Sequence, residues 1–222
     1  MANLLFIIVL SYLVGSIPIS IILTKLVKGV DVRNFGSGNA GGTNVTRVLG
    51  KKYGILTILL DAMKGVVAVV FISRLYFGSF PFPNTTPFDD FTLIQIIAGI
   101  SAVIGHIWTI FAGFKGGKGI ATGLGVFISI VTLDMLLALG VFFIVVYFSK
   151  YISLASISAA VSVPLIMIIR ENIFGVDIPS YHNILPFVIA LALLVIYTHR
   201  ANVERLINGN ENKISLSKKK NK

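Results

Sequence analysis

Residues 120–149 read IATGLGVFISIVTLDMLLALGVFFIVVYFS, and Asp134 is the one charged side chain in the run. As a single helix this stretch would be about 45 Å long, against a hydrocarbon core of ~30 Å. As a hairpin turning near Asp134 it gives two arms of about 21 Å each. The two readings differ by one membrane crossing. That crossing sets the face on which every other loop lies.

The rest of the chain argues for a membrane protein. It has 222 residues, 55% hydrophobic and only 13% charged, with mean hydropathy +0.90. A soluble domain carries roughly a quarter charged residues. Apolar runs place spans at 2–23, 54–73, 91–111, 152–169 and 183–198, with 120–133 and 135–149 as the hairpin arms, in a single polytopic domain with a basic tail over 199–222. No Lys or Arg precedes the first run, and no small-residue cleavage site stands out, so it reads as a retained span and not a signal peptide. Pro18 interrupts that span, and Gly15-Ser16-Ile17-Pro18 is expected to bend it. The segment 74–90, with Pro81, Pro83, Pro87, Asp89 and Asp90, reads as an exposed loop with an interfacial aromatic stretch at 76–82.

Charge decides the parity. With the hairpin, all 19 Lys and Arg except Arg74, Arg170 and the intramembrane Lys64 fall on one face. The opposite face receives Asp89, Asp90, Asp134, Glu171 and Asp177. Such asymmetry is the positive-inside pattern. Six spans would instead divide the basic residues between the faces. The expected fold is therefore an all-α integral membrane bundle of seven transmembrane helices, N-terminus outside and C-terminus cytoplasmic. The net charge of +10 is accounted for by this topology and does not point to nucleic acid. There is no cysteine, which excludes disulfides, thiolate metal sites and thiol catalysis. His106, His182 and His199 are too scattered to form a metal cluster, so no metal or cofactor is called for.

Three polar stretches then share the cytoplasmic face. The first is Gly36-Ser37-Gly38-Asn39-Ala40-Gly41-Gly42-Thr43-Asn44-Val45-Thr46-Arg47, rich in glycine and free of acids. Glycine permits φ > 0 and close approach to a ligand, and backbone N–H groups turned inward form anion nests. Ser37, Asn39, Thr43 and Asn44 add neutral hydrogen bonds, and Arg47 adds a fork suited to phosphate. A plain linker needs none of this. The second stretch is Gly113-Phe114-Lys115-Gly116-Gly117-Lys118-Gly119, followed by Ile120-Ala121-Thr122 at the start of an apolar helix. It is not a Walker A loop, because Gly119 follows Lys118 where Ser or Thr is required. A helix N-terminus behind the loop would direct N–H groups at the same anion. The third stretch, His199-Arg200-Ala201-Asn202-Val203-Glu204-Arg205, ends the last span. The three are expected to build one phosphate-handling site. Asp61 and Lys64, three residues apart on one helix face, are expected to point into the bundle. His106 reads as a hydrogen-bonded helix-end residue, and the Lys218-Lys219-Lys220 run as a solvated tail drawn to anionic lipid.

Together these stretches resemble the bacterial acyl-phosphate:glycerol-3-phosphate acyltransferases, the PlsY family, over essentially the whole chain. The first motif is carried by residues 36–44 with Arg47. The second is carried by Gly105-His106, Phe111 and residues 114–122. The third is carried by His199-Arg200-x-Asn202-x-x-Arg205-Leu206 with Gly209 and Glu211. Asp61-x-x-Lys64-Gly65 also fits. Gly42 departs from the Ala usual in the family, which should loosen the turn. The His-x4-Asp pair of other glycerolipid acyltransferases is missing, since Phe111 stands five residues after His106 and Glu204 five after His199.

The resemblance implies transfer of a fatty acyl group from acyl phosphate to the 1-hydroxyl of glycerol 3-phosphate. The setting would be the bacterial inner membrane, with the active site on the cytoplasmic face and the chain a monomer. It assigns His199, Asn202 and Ser37 to catalysis. Gly36, Gly38, Asn39, Thr43, Asn44, Arg47, Lys115, Gly116, Gly117, Lys118, Gly119 and Thr122 are assigned to substrate binding. A transporter for a phosphate ester or other anion is the alternative. It would explain the basic loops and Asp61/Lys64, but no inverted repeat accompanies them.

Overall fold

A computed structural model describes residues 2–77 and 89–214. Pro81, Pro83 and Pro87, most of the expected aromatic stretch, and Lys218, Lys219 and Lys220 lie outside the described residues. Among the described residues there are ten α-helices and no strand. The chain forms two compact units that divide after Thr132.

In the first unit, α1 (Ala2–Ser16) and α2 (Ile19–Lys28) are one apolar span broken at Ile17–Pro18, as the sequence predicts. α3 (Gly42–Leu49) is a short helix inside what reads from sequence as a loop. Gly50 separates it from α4 (Lys51–Val66), which continues through a π-helical turn at Val67–Ile72 and a 3-10 turn at Ser73–Leu75. α5 (Asp90–Ile107) opens on Asp89, whose carboxylate accepts from the Thr92 N–H at 2.9 Å and caps the helix. A loop leads from α5 to α6 (Ile120–Ile130).

Lipid tails are as apolar as leucine, so helix association here depends on close packing. Small residues provide it. A Cβ at Gly15 would collide with the backbone of Ala102 on α5, and one at Gly105 with Tyr12 O on α1. On the other side of α4, Gly65 abuts Thr122 O, and Gly125 abuts Ala62 O. Ile7, Ala68, Ile72, Ile94, Ala98 and Ala102 fill the space between α1, α4's extension and α5.

In the second unit, α7 (Thr132–Ser149), α8 (Ile152–Asn172) and α9 (Tyr181–Thr198) are long and apolar. α10 (Arg200–Ile207) follows His199 where the sequence reading has only a tail. Asp134, in the first turn of α7, pairs with Arg170 in the last turn of α8 at 2.7 Å. The two residues therefore share a side of their unit, as the charge argument requires.

The run 120–149 breaks into two helices as expected, at Val131, a few residues before Asp134. Val131 leaves helical geometry (φ −128°, ψ 61°). The Ser129 and Thr132 hydroxyls donate back to Gly125 O and Ile128 O, offering the backbone competing partners at this point. Asp134 then falls at a helix N-terminus, where a negative charge is favoured. Among the described residues, six helical segments are long and apolar enough to cross a membrane, and α6 is shorter. At 11 residues it rises only about 16 Å.

Candidate active site

The first glycine stretch is a packed structure. Asp31 caps a 3-10 turn at Val32–Asn34 by accepting from the Arg33 N–H at 2.9 Å. Val32, Ala40 and Val45 bury against Ile21 of α2, giving the loop a small core of its own. Asn44 sits at the centre with 1% exposure. Its Oδ1 accepts from the Ser37 N–H at 3.0 Å. Its Nδ2 donates to Val32 O and Phe35 O at 2.9 Å and to Asn39 O at 3.1 Å. Asn44 thus acts on the shape of the loop, holding Ser37 and Asn39 in place. Gly36 has φ 58°, in the left-handed region, and a Cβ there would strike Asn44 Oδ1. Ser37, Asn39 and Thr43 are half-buried, and Gly36, Gly38 and Arg47 are exposed on this framework.

Gly42 departs from the expectation of a loosened turn. It is the first residue of α3, packed against α4, where a Cβ would strike Ile58 Cγ1 and lie 2.8 Å from Gly54 O. In this chain glycine at 42 permits close helix approach.

The second glycine stretch hangs from the end of α5. The Gly116 N–H donates to Ile107 O at 2.9 Å, the Gly117 N–H to His106 O at 3.1 Å, and the Phe114 N–H to Thr109 O at 2.8 Å. Tyr12 OH donates to Trp108 O at 2.8 Å, and Thr109 Oγ1 donates to Ser16 O, fixing the end of α5 to α1. Gly119, at φ 82°, turns the chain into α6. The helix start expected behind the loop is present. Lys115 is exposed and Lys118 half-buried. Thr122 is fully buried at the α4–α6 contact, with no hydrogen bond to its hydroxyl among the described residues.

The two stretches meet. A Cβ on Gly117 would strike His106 Nε2 and stand 2.9 Å from Ala40 O. Arg33 ties them from outside: its Nη1 donates to Ala112 O at 2.8 Å and Lys115 O at 3.2 Å. Its Nε and Nη2 grip the Asp31 carboxylate. These side-chain hydrogen bonds from Arg33 hold the Asp31 carboxyl below the usual carboxylate range. Asp31 is the one acid in the first loop, and Arg33 engages it, which leaves the surroundings of the glycine stretches cationic. Sequence reasoning gave neither residue a role; the spacing Asp31-x-Arg33 ahead of a glycine run was the available signal.

Asp61 and Lys64 point inward, as expected, with 2% and 5% exposure. Lys64 Nζ stands 2.7 Å from Asp61 Oδ1, a charge contact without well-aligned hydrogen-bond geometry. It also stands 3.2 Å from His106 Nδ1.

In the second unit, His199 closes α9 and begins α10, with 3% exposure. Its Nδ1 lies 2.8 Å from Val195 O. A carbonyl only accepts, so Nδ1 carries the proton and the lone pair of the neutral ring is on Nε2. Asn202, one turn into α10 and 5% exposed, donates through Nδ2 to Glu211 Oε1 at 3.0 Å. Arg205 Nε donates to the other oxygen of the same carboxylate at 2.9 Å. Glu211 therefore orients Asn202 and Arg205 of the third motif. Among the described residues no group of His, Asp and Glu side chains could hold a metal ion.

Comparison with known proteins identifies the family. Residues 5–209 match the family model for glycerol-3-phosphate acyltransferase. A glycerol-3-phosphate acyltransferase of Chlorobium phaeovibrioides is 45% identical over 98% of this chain and 99% of its own. One from Chlorobaculum tepidum is 45% identical over 99% of this chain and all of its own. The fold is similar to crystal structures of PlsY (YgiH), an integral membrane glycerol 3-phosphate acyltransferase. The glycerol 3-phosphate form has TM-score 0.79 and 37% identity, over 96% of both chains. The lysophosphatidic acid form has TM-score 0.77 and 36% identity, over 96% of this chain and 95% of that one. With motifs, architecture and full-length similarity in agreement, the chain belongs to the glycerol-3-phosphate acyltransferase family, as an integral membrane member of the PlsY type.

Proposed function

We propose that this chain transfers a fatty acyl group from acyl phosphate to the 1-hydroxyl of sn-glycerol 3-phosphate, giving 1-acyl-sn-glycerol 3-phosphate and inorganic phosphate. The observation that carries the reading is the meeting of two acid-poor glycine stretches at Ala40 and Gly117, with Arg47, Lys115 and Lys118 on the same stretches. Both substrates carry phosphate, and backbone N–H groups with nearby cations suit it. The similar solved structures are glycerol 3-phosphate and lysophosphatidic acid forms, which supports the acceptor and the product class.

An acyl phosphate is already activated, so no covalent enzyme intermediate is required. The hydroxyl oxygen bonds to the acyl carbon, the carbon–oxygen bond to phosphate breaks, and phosphate leaves with the bonding pair. The protein's part is positioning and stabilisation of developing charge. We assign residues 113–119 to the acyl-phosphate head group, with Lys115 and Lys118 supplying charge. We assign Ser37 and Arg47 to glycerol 3-phosphate, on the framework that Asn44 shapes. Thr122, buried against α4, is given a packing role. We assign His199 and Asn202 to orienting the acceptor, whose hydroxyl proton passes to His199 or to a substrate phosphate.

We further propose that the basic loops face the cytoplasm across a bacterial inner membrane, that α6 counts as a short seventh crossing, and that the chain acts as a monomer. Single cysteines placed at 89 and 118 in this cysteine-free chain should label from opposite faces. Labelling from the same face rejects the topology.

The donor is tested with matched palmitoyl phosphate and palmitoyl-CoA and radiolabelled glycerol 3-phosphate. A CoA or carrier thioester needs a surface for its large polar part, and the expected cytoplasmic loops are mostly short. The expected result is turnover with the phosphate and little or none with the thioester. Comparable kcat/KM values would reject the donor and leave the acyltransferase reading in place.

A further inference from the structure

The proposed chemistry leaves three buried ionisable side chains of the first unit unused. Asp61 and Lys64 on α4 and His106 on α5 line a small cavity at the break in the first span, together with Ser16, Ala40 and Gly117. Their burial excludes snorkelling to an interface.

Lys64 has a local reason to be there. The Ile19 N–H turns to Ile17 O, so Gly15 O has lost its helical partner. Lys64 Nζ donates to Gly15 O at 3.1 Å and to Ile17 O at 2.9 Å. Backbone polar groups at membrane depth must find partners, and the lysine supplies them. The same ammonium stands 3.2 Å from His106 Nδ1.

That last contact has a chemical consequence. An ammonium has donors and no acceptor, so the nitrogen facing it must present a lone pair. Asp61 Oδ1, at 3.6 Å, is beyond hydrogen-bond reach of Nδ1. In the neutral ring the proton then sits on Nε2. Nε2 is the atom that a Cβ on Gly117 would strike, and Ala40 O stands 2.9 Å from the same point. The N–H is thus aimed at the junction of the two glycine stretches. A bare nitrogen there would repel an anion; an N–H attracts it.

We propose that Lys64 is a positioning residue for the phosphate site: its ammonium, balanced by Asp61, holds His106 in the Nε2–H tautomer and so presents a neutral donor where Ala40 meets Gly117. This rests on the reading that the two stretches receive a phosphate. The tautomer itself does not depend on which acyl donor is used.

The test is nitrogen NMR of the full chain in detergent, with ¹⁵N-labelled histidine. The chain has three histidines, and the His106 signals are those lost in His106→Gln. Wild type should show His106 protonated at Nε2 and bare at Nδ1. His199, held by Val195 O, should show the reverse in the same spectrum. Removing both charges together in Asp61→Asn/Lys64→Met leaves no buried charge unpaired. In that variant the His106 tautomer should become mixed, and kcat/KM for glycerol 3-phosphate should fall roughly 10- to 100-fold. Adding His106→Gln should cost little more, since the residues act as one unit. A wild-type His106 protonated at Nδ1 overturns the proposal. So does a folded double variant that keeps the wild-type tautomer or the wild-type kcat/KM. A lysine that merely filled the break in the first span would lower thermal stability and leave the ring tautomer unchanged. If the double variant fails to fold, the wild-type spectrum alone decides.

Discussion

In the first glycine stretch one side chain shapes the loop: Asn44 bonds the Ser37 N–H and the carbonyls of Val32, Phe35 and Asn39. In the second, backbone shapes backbone. The N–H groups of Phe114, Gly116 and Gly117 reach carbonyls at the end of α5, and Arg33 grips the outer edge. Similar composition therefore conceals different construction. A loop organised by a side chain fails by losing that side chain. A loop laid directly on a helix end fails by gaining an atom that keeps it off. The contrast says where each stretch is vulnerable, and substitutions can break it.

The largest effect is expected at Gly117. An added Cβ meets His106 Nε2 and crowds Ala40 O, so Gly117→Ala must push the two stretches apart. A displacement of about 1 Å can cost 10²-fold in rate, and kcat/KM should fall by about that factor. Thermal stability in detergent should move little, because the helices that pack the unit are untouched. Wild-type kinetics would reduce the second stretch to a linker.

Asn44→Ala should show the opposite balance. It removes one partner each from the carbonyls of Val32, Phe35 and Asn39 and from the Ser37 N–H, while the carbonyls keep their backbone partners, at about 1–3 kcal/mol in all. Thermal midpoint and activity should fall together. A stable but inactive Asn44→Ala would place the residue among the groups that contact substrate and undo the contrast between the loops.

This also shows what could be read from sequence. The polar, glycine-rich character of both stretches was legible, because turns and anion nests need those residues. The direction of Asn44 was not, because asparagine offers the same donors and acceptors to a loop as to a ligand. α3 was hidden behind Gly41 and Gly42, which read as a turn, although Gly42 serves close packing against α4. The long spans were legible from hydropathy, whereas the break at Val131 depends on local hydroxyl back-bonding and was drawn to the nearby charge of Asp134. Lys64 and His106 were each flagged, but their contact joins residues 42 apart, and no pattern along the chain encodes it.

Arg47→Lys probes a residue exposed on the framework. KM for glycerol 3-phosphate should rise roughly tenfold, because a point charge does not reproduce a planar fork. An unchanged KM would remove Arg47 from the acceptor site.

The smallest effect is expected at Asp31, which acts on the second stretch only through Arg33. Asp31→Asn loosens the guanidinium that holds Ala112 O and Lys115 O, without taking away those bonds. An ion pair at a partly exposed site contributes about 0.2–1 kcal/mol, so kcat/KM should fall no more than about fivefold. The pH dependence fixes the sign. The Arg33 side chain hydrogen bonds hold the Asp31 carboxyl below its ordinary range. A carboxyl whose pKa is lowered on folding contributes stability above its unfolded value, about 3.9, and loses it as pH falls through the folded value. The pair is therefore intact at neutral pH, and the activity loss in Asp31→Asn should be the same throughout about pH 6 to 8. Only in acid should wild type and variant converge in stability, as protonation removes from wild type what the substitution has already removed. A loss that varied with pH near neutrality would mean that Asp31 acts through some group other than Arg33, and that the second stretch is not steadied from its outer edge in this way.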